Sequence, residues 1–208
     1  MKVIAFDPSK STGWAFWDTA KDHSSIRCGV FQMPDKADHY YTSDQIGLKV
    51  TNFIKELVAD KNAGRPDFAV LEEQSLAKIG NTSADAMIYP WVATSAIVAT
   101  LANFGIPYGT LPAASWRKAF YGEGFKPPLD NKGKKDWKKA SVTECERVGI
   151  VLPPQKTISH NAAEACALAI CCHVNAMKLH ARRYEPALLA LRMARNSRPT
   201  GDLFGSAA

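Results

Sequence analysis

Apolar residues fall along this chain in short runs first and in helical stripes afterwards. Val3–Phe6 is a compact apolar run, Thr12–Thr19 carries Trp14, Phe16 and Trp17, and Ile26–Met33 follows after a polar link. Runs of this length separated by short polar links read as three hairpin-connected strands. Ile46, Val50, Phe53, Ile54 and Leu57 then recur at spacings of three and four, the stripe of an amphipathic helix, with Ser43 or Asp44 as its expected cap and Gly64-Arg65-Pro66 as its stop.

Phe68–Leu71 is wholly apolar and bounded by polar residues, as a strand buried on both faces must be. A second helix is expected over Ser83–Asn103, distorted at Pro90, then a strand over Ile106–Leu111 and a short helix over Ala113–Tyr121. The Gly- and Pro-rich stretch Gly122–Gly133 predicts a mobile loop. Lys134–Val148 predicts a basic helix closed by Gly149, and Ser159–His180 a long helix with closely packing alanines. Three antiparallel strands followed by alternating helices and strands imply an α/β fold, one mixed five-stranded sheet flanked by helices. The domain is expected over residues 1–180, with a helix from about Tyr184 and a polar tail in 181–208.

Composition narrows the class. The 208 residues suffice for a substantial core, and 46% hydrophobic with 22% charged residues is ordinary for a globular protein. No apolar run is long enough to cross a bilayer. The strand pattern starts at once, so no secretory leader is expected. Five cysteines without C-x-x-C spacing read as reduced thiols, which points to the cytoplasm. The net charge of +6 matters through its placement: Lys126, Lys132, Lys134, Lys135, Lys138 and Lys139 crowd one stretch, with Arg117 and Lys118 upstream. Clustered cations of this kind either solvate a surface or bind phosphates.

The carboxylates carry the chemistry. Asp7 ends the first strand, Glu72 and Glu73 end the Phe68 strand, and Glu164 lies in the first turns of the last long helix. Asn161 and His160 precede Glu164 by three and four residues and share its helix face. If the two strands are neighbours, their acids meet at one end of the sheet, and a helix crossing that end adds Glu164. Hard oxygen donors from separated elements suit Mg²⁺ or Mn²⁺. Two such ions about 4 Å apart can activate water and stabilise the leaving oxygen in phosphodiester cleavage.

Four segments together resemble the RuvC-type Holliday junction resolvases of the ribonuclease-H-like nuclease superfamily, especially the shorter phage and prophage forms. They are Phe6-Asp7-Pro8-Ser9-Lys10-Ser11-Thr12-Gly13-Trp14, Ala69-Val70-Leu71-Glu72-Glu73-Gln74, Trp116-Arg117-Lys118 through Lys138-Lys139, and Asn161-Ala162-Ala163-Glu164-Ala165. The resemblance implies a ribonuclease-H-like sheet and a homodimer that resolves four-way DNA junctions with two Mg²⁺ ions per site, Mn²⁺ also being accepted. It implies Asp7, Glu72 and Glu164 as metal ligands, with Glu73 the alternative to Glu72. Asn161 stands where the family has Asp or His, and His160 is its alternative. The family's aromatic wedge has no counterpart at Ser75 and Leu76. Lys10, Arg117, Lys118, Lys132, Lys134, Lys135, Lys138 and Lys139 are the expected DNA contacts.

Ile88, Trp91, Val92 and Ile97 are either dimer face or core. Gly201-Asp202-Leu203-Phe204 resembles the ending of sliding-clamp-binding peptides. Other readings are a debranching endonuclease of broader range and a junction-binding protein with weakened catalysis. A sugar or acetate kinase on the related actin-like fold is disfavoured, because those enzymes need a second, duplicated domain.

Overall fold

The computed structural model describes residues 1–75 and 84–196; Leu76 and the Leu203-Phe204 pair lie outside them. Among the described residues six strands form one mixed sheet in the order β3-β2-β1-β4-β5-β6, where β1 is Lys2–Asp7, β2 Ser11–Asp18, β3 Arg27–Gln32, β4 Phe68–Glu72, β5 Tyr108–Leu111 and β6 Lys178–Leu179. β1, β2 and β3 pair antiparallel, β4 and β5 continue parallel to β1, and β6 returns antiparallel. The helices are α1 His39–Ala59, α2 Ala84–Asn103, α3 Ala113–Tyr121, α4 Trp137–Arg147, α5 Lys156–Ile170 and α6 Glu185–Asn196.

Strand alternation sends side chains to two cores. Ile4, Phe6, Ala69 and Leu71 pack with Ile46, Val50, Ile54 and Leu57 of α1 and Ala93, Ile97 and Leu101 of α2. Val3, Ala5 and Val70 pack on the other face with Trp116 of α3, Cys145 of α4 and the small residues Ala163, Ala165 and Cys166 of α5. Burying each large side chain contributes about 1.5–3 kcal/mol. The small residues of α5 let it lie directly on β1 and β2. Ile97 is fully buried and is core, whereas Ile88 and Trp91 are exposed.

The structure corrects the expected boundaries. α1 begins at His39 because the Asp38 carboxylate accepts the Tyr41 backbone N–H at 2.7 Å, so Ser43 and Asp44 lie inside the helix. α4 begins only at Trp137, with Asp136 accepting the Lys139 N–H at 2.9 Å. Lys134 and Lys135 therefore belong to a turn, held by Asp130, whose carboxylate accepts the backbone N–H of Lys132 and of Lys134 at 2.8 Å each. α5 runs from Lys156 to Ile170, not from Ser159 to His180. After Ile170 successive tight turns, Val174 N–H to Cys171 C=O and Met177 N–H to Val174 C=O, swing the chain back to form β6.

Candidate active site

β1 and β4 lie side by side with Phe6 opposite Leu71, so Asp7 and Glu72, which follow, leave the sheet at the same end. Glu164 comes from α5, packed across β1 and β2. Each of these three residues is half-buried.

The adjacent residues Trp116 and Arg117 tie two of them together, contacting Glu72 at 2.7 Å and Glu164 at 3.4 Å. Burial holds the Asp7 carboxyl well above the usual range, and the charges of Glu164 and Glu72 push it further. Glu164 is pushed up to about 7, by burial first and by Glu72 second. Burial also raises Glu72, against the Trp116 indole, whose N–H donates to the Glu72 carboxylate at 2.7 Å. Arg117 and Lys138 act in the opposite sense, each stabilising the ionised forms of Asp7 and Glu164. The Arg117 Nη2 lies 3.4 Å from Glu164 Oε1, and its guanidinium sits 5.1 Å from the ring centres of both Trp116 and Trp137.

Glu72 and Glu164 raise the proton affinity of Asp7, and Glu72 that of Glu164, so the group lacks positive charge. That donor set fits a hard divalent cation, which takes carboxylate oxygen and keeps water ligands. Among the described residues no three His, Cys, Asp or Glu groups stand as one coordination cluster.

The other candidates divide by position. Glu73 turns away from the cluster and pairs with Lys178 at 2.6 Å; adjacent strand residues face opposite sides. Asn161 lies one turn before Glu164, its backbone against Gly13 of β2. His160 instead lines a groove with Lys138, Lys139 and Lys156, and burial and Lys138 lower its pKa. The Lys10 ammonium meets the Asp35 carbonyl and stands 4.8 Å from the Tyr89 ring centre. Lys118 forms an exposed ion pair with Glu123. Trp116 and Trp137 complete the surroundings of the cluster. The sequence marks both only as aromatics beside basic residues, a weak signal that folding turns into a contact.

Three antiparallel strands continued by two parallel ones, with helices on both faces, define the ribonuclease-H-like fold. Among solved structures, T. thermophilus RuvC in complex with Holliday junction substrate is similar with a TM-score of 0.57 and 14% identity, over 86% of this chain and 99% of that one. A Thermus thermophilus RuvC structure matches with the same TM-score and coverage at 16% identity. At such identities the likeness is one of fold. No family model matches the chain, and no curated protein matches its sequence.

Proposed function

We propose that this chain is a divalent-metal-dependent endonuclease that resolves branched DNA, four-way junctions above all, as a homodimer. The observation that carries this reading is that Asp7 and Glu72 follow paired strand positions at one end of the sheet, with Trp116 donating to Glu72 and its neighbour Arg117 reaching Glu164, and that the charges of Glu72 and Glu164 both act on Asp7. The similarly folded T. thermophilus protein holding a Holliday junction supports the choice of substrate.

Asp7, Glu72 and Glu164 would hold Mg²⁺ or Mn²⁺, with the Asn161 amide oxygen as a further donor. When bound, such ions supply an activated water and stabilise the departing 3′ oxygen. The chain's own groups do the rest. The Trp116 indole fixes one oxygen of Glu72 and so orients the other. Arg117 and Lys138 oppose the negative charge of the carboxylates, which lets a phosphodiester approach and favours the added charge of the transition state. The lysines of the 130s turn and α4 provide phosphate contacts along the DNA arms.

A second reading, junction binding with weakened catalysis, is favoured by Asn161, which brings an oxygen donor but no charge. One experiment separates these readings: cleavage of a synthetic four-way junction, a flap and a plain duplex with Mg²⁺ and with Mn²⁺. Resolution of the junction that disappears in Asp7→Asn, while that variant still binds it, is the expected result. Equal cutting of flap and junction would make the protein a general debranching nuclease. Binding without cutting in either metal would select the weakened form, and normal turnover by Asp7→Asn would remove the metal site.

A further inference from the structure

A pocket of about 580 Å³ is lined in part by Arg117, Lys118, Glu123, Gly124, Phe125 and Trp137, with Lys118 paired to Glu123 at 2.8 Å on its exposed rim. Its volume is that of a small-ligand site. Arg117 belongs both to this pocket and to the carboxylate site: Nη2 reaches Glu164 at 3.4 Å, while the guanidinium sits 5.1 Å from the Trp137 ring centre.

The pocket wall is aromatic, and one ring of it is partly uncovered. Tyr121 and Phe125 stack with centroids 4.5 Å apart and planes inclined by 12°, and Trp137 lies 6.2 Å from Phe125. Tyr121 is buried, yet Phe125 is 41% exposed. The loop that carries it turns at Gly122 and Gly124, both at positive φ, and a Cβ at either would meet nothing within 4 Å among the described residues. Tyr121 covers one face of the Phe125 ring, and the ring keeps its 41% exposure among the described residues. Among the described residues, the buried Arg117 Nε has no hydrogen-bond partner.

An exposed aromatic face flanked by an arginine and a lysine suits a nucleotide. The base stacks on the ring and the phosphate meets the cations. Neither feature alone specifies this: an apolar ligand needs no cations, and duplex phosphates need no ring. We infer that the pocket receives one DNA base displaced from the helical stack at a branch point, lying on Phe125 with its phosphate toward Arg117 and Lys118. The inference rests on the reading of branched DNA as substrate. It adds that the protein holds the branch open through this loop, and it makes Phe125 a residue that selects junctions over duplex.

The test uses the full chain in EDTA, so that no strand is cut, and a four-way junction carrying 2-aminopurine either at the crossing point or far along an arm. Wild-type protein should change the fluorescence of the crossing-point probe only. Phe125→Leu keeps the apolar bulk that anchors the loop but has no ring face. It should lose the signal and about tenfold in junction affinity, a typical loss for one stacked base, with duplex affinity unchanged. Phe125→Tyr should restore both. If Phe125→Leu keeps the signal and the junction preference, the base pocket is wrong although the function stands. If wild-type protein binds junctions no better than duplex, the substrate reading falls and the pocket assignment falls with it.

Discussion

A Cβ on Gly13 would lie 1.9 Å from the carbonyl oxygen of Asn161. Gly13 is also the β2 residue paired with Asp7. The strand position beside the first carboxylate is thus where α5 touches the sheet, and the missing side chain lets Glu164, one turn further on, come within reach of Asp7. The obstacle at Gly13 is backbone, so no rotamer change relieves it. Gly13→Ala should force α5 off the sheet at a cost of about 1–3 kcal/mol or more, lowering the melting temperature and abolishing junction cleavage. Asp7→Asn should abolish cleavage without lowering stability, because it removes a buried repulsion. Thermal melts of the two variants beside cleavage assays check the contrast. A Gly13→Ala protein with wild-type melting would mean the helix does not approach so closely.

Glu164 contributes to the pH dependence of stability. Its pKa rises from 4.5 to about 7 in the folded protein, so the native state binds a proton that the unfolded chain releases earlier. Stability is then full below about pH 4.5 and declines as pH rises toward 7. Glu164 is only 13% exposed, and at about 1.4 kcal/mol per pH unit the gap is worth up to about 3 kcal/mol. Asp7, shifted in the same direction, adds to the decline. Metal-free protein should therefore melt at a lower temperature at pH 8 than at pH 5, and Glu164→Gln should flatten the difference. Added Mg²⁺ should raise the melting temperature more at pH 8, where protons no longer compete for the carboxylates. Metal-free melting that is flat from pH 5 to 8 would contradict the shift.

Much of this arrangement can be read from particular residues. Val3–Phe6 and Phe68–Leu71 are legible because strands buried on both faces must be continuously apolar, and the acids after them stand at the sheet end by simple continuation. α1 was legible by its buried stripe but not by its start, since the cap is a side-chain contact from Asp38 and the exposed Tyr40 and Tyr41 hide the first turn. β6, two residues long, has no periodicity to show. The end of α5 was overrun because Val174 and Met177 continue the apolar spacing while packing from turns. At the site, Glu72 and Glu73 are equivalent as letters; only the indole of Trp116, 44 positions away, and Lys178 on the far strand assign them different surroundings.

The basic stretch divides in two. Lys138 is the second residue of α4 and lowers the pKa of Asp7 and Glu164, whereas Lys134 and Lys135 are exposed residues of the preceding turn. Replacing Lys134 and Lys135 by Ala should weaken junction binding and flatten its salt dependence by up to about 0.9 per lost phosphate contact, leaving the saturated cleavage rate unchanged. Lys138→Ala should instead slow cleavage and move the acidic limb of the pH–rate profile upward, since the carboxylates lose a stabilising charge. Binding isotherms at several salt concentrations and single-turnover rates across pH read the two effects separately. Equal salt slopes before and after the double substitution would remove the turn from the DNA interface.

Asn161 and His160 are adjacent in sequence but diverge in space. Asn161 lies against β2 beside the carboxylates, while His160 faces the groove that Lys138, Lys139 and Lys156 line. Asn161→Asp would place a fourth negative charge on the face of Glu164. In metal-free protein at pH 8 that charge adds to the repulsion and should lower the melting temperature. With Mg²⁺ present the same charge attracts the ion, so the concentration giving half-maximal cleavage should fall, by about tenfold if the gain is about 1.4 kcal/mol. The two effects have opposite signs, which a general loss of stability cannot mimic. His160→Ala should leave the Mg²⁺ requirement where it was. A Mg²⁺ titration of cleavage, run beside melts with and without the ion, reads both outcomes. An unchanged or raised requirement in Asn161→Asp would show that position 161 does not face the metals and that three carboxylates alone make up the charged ligand set.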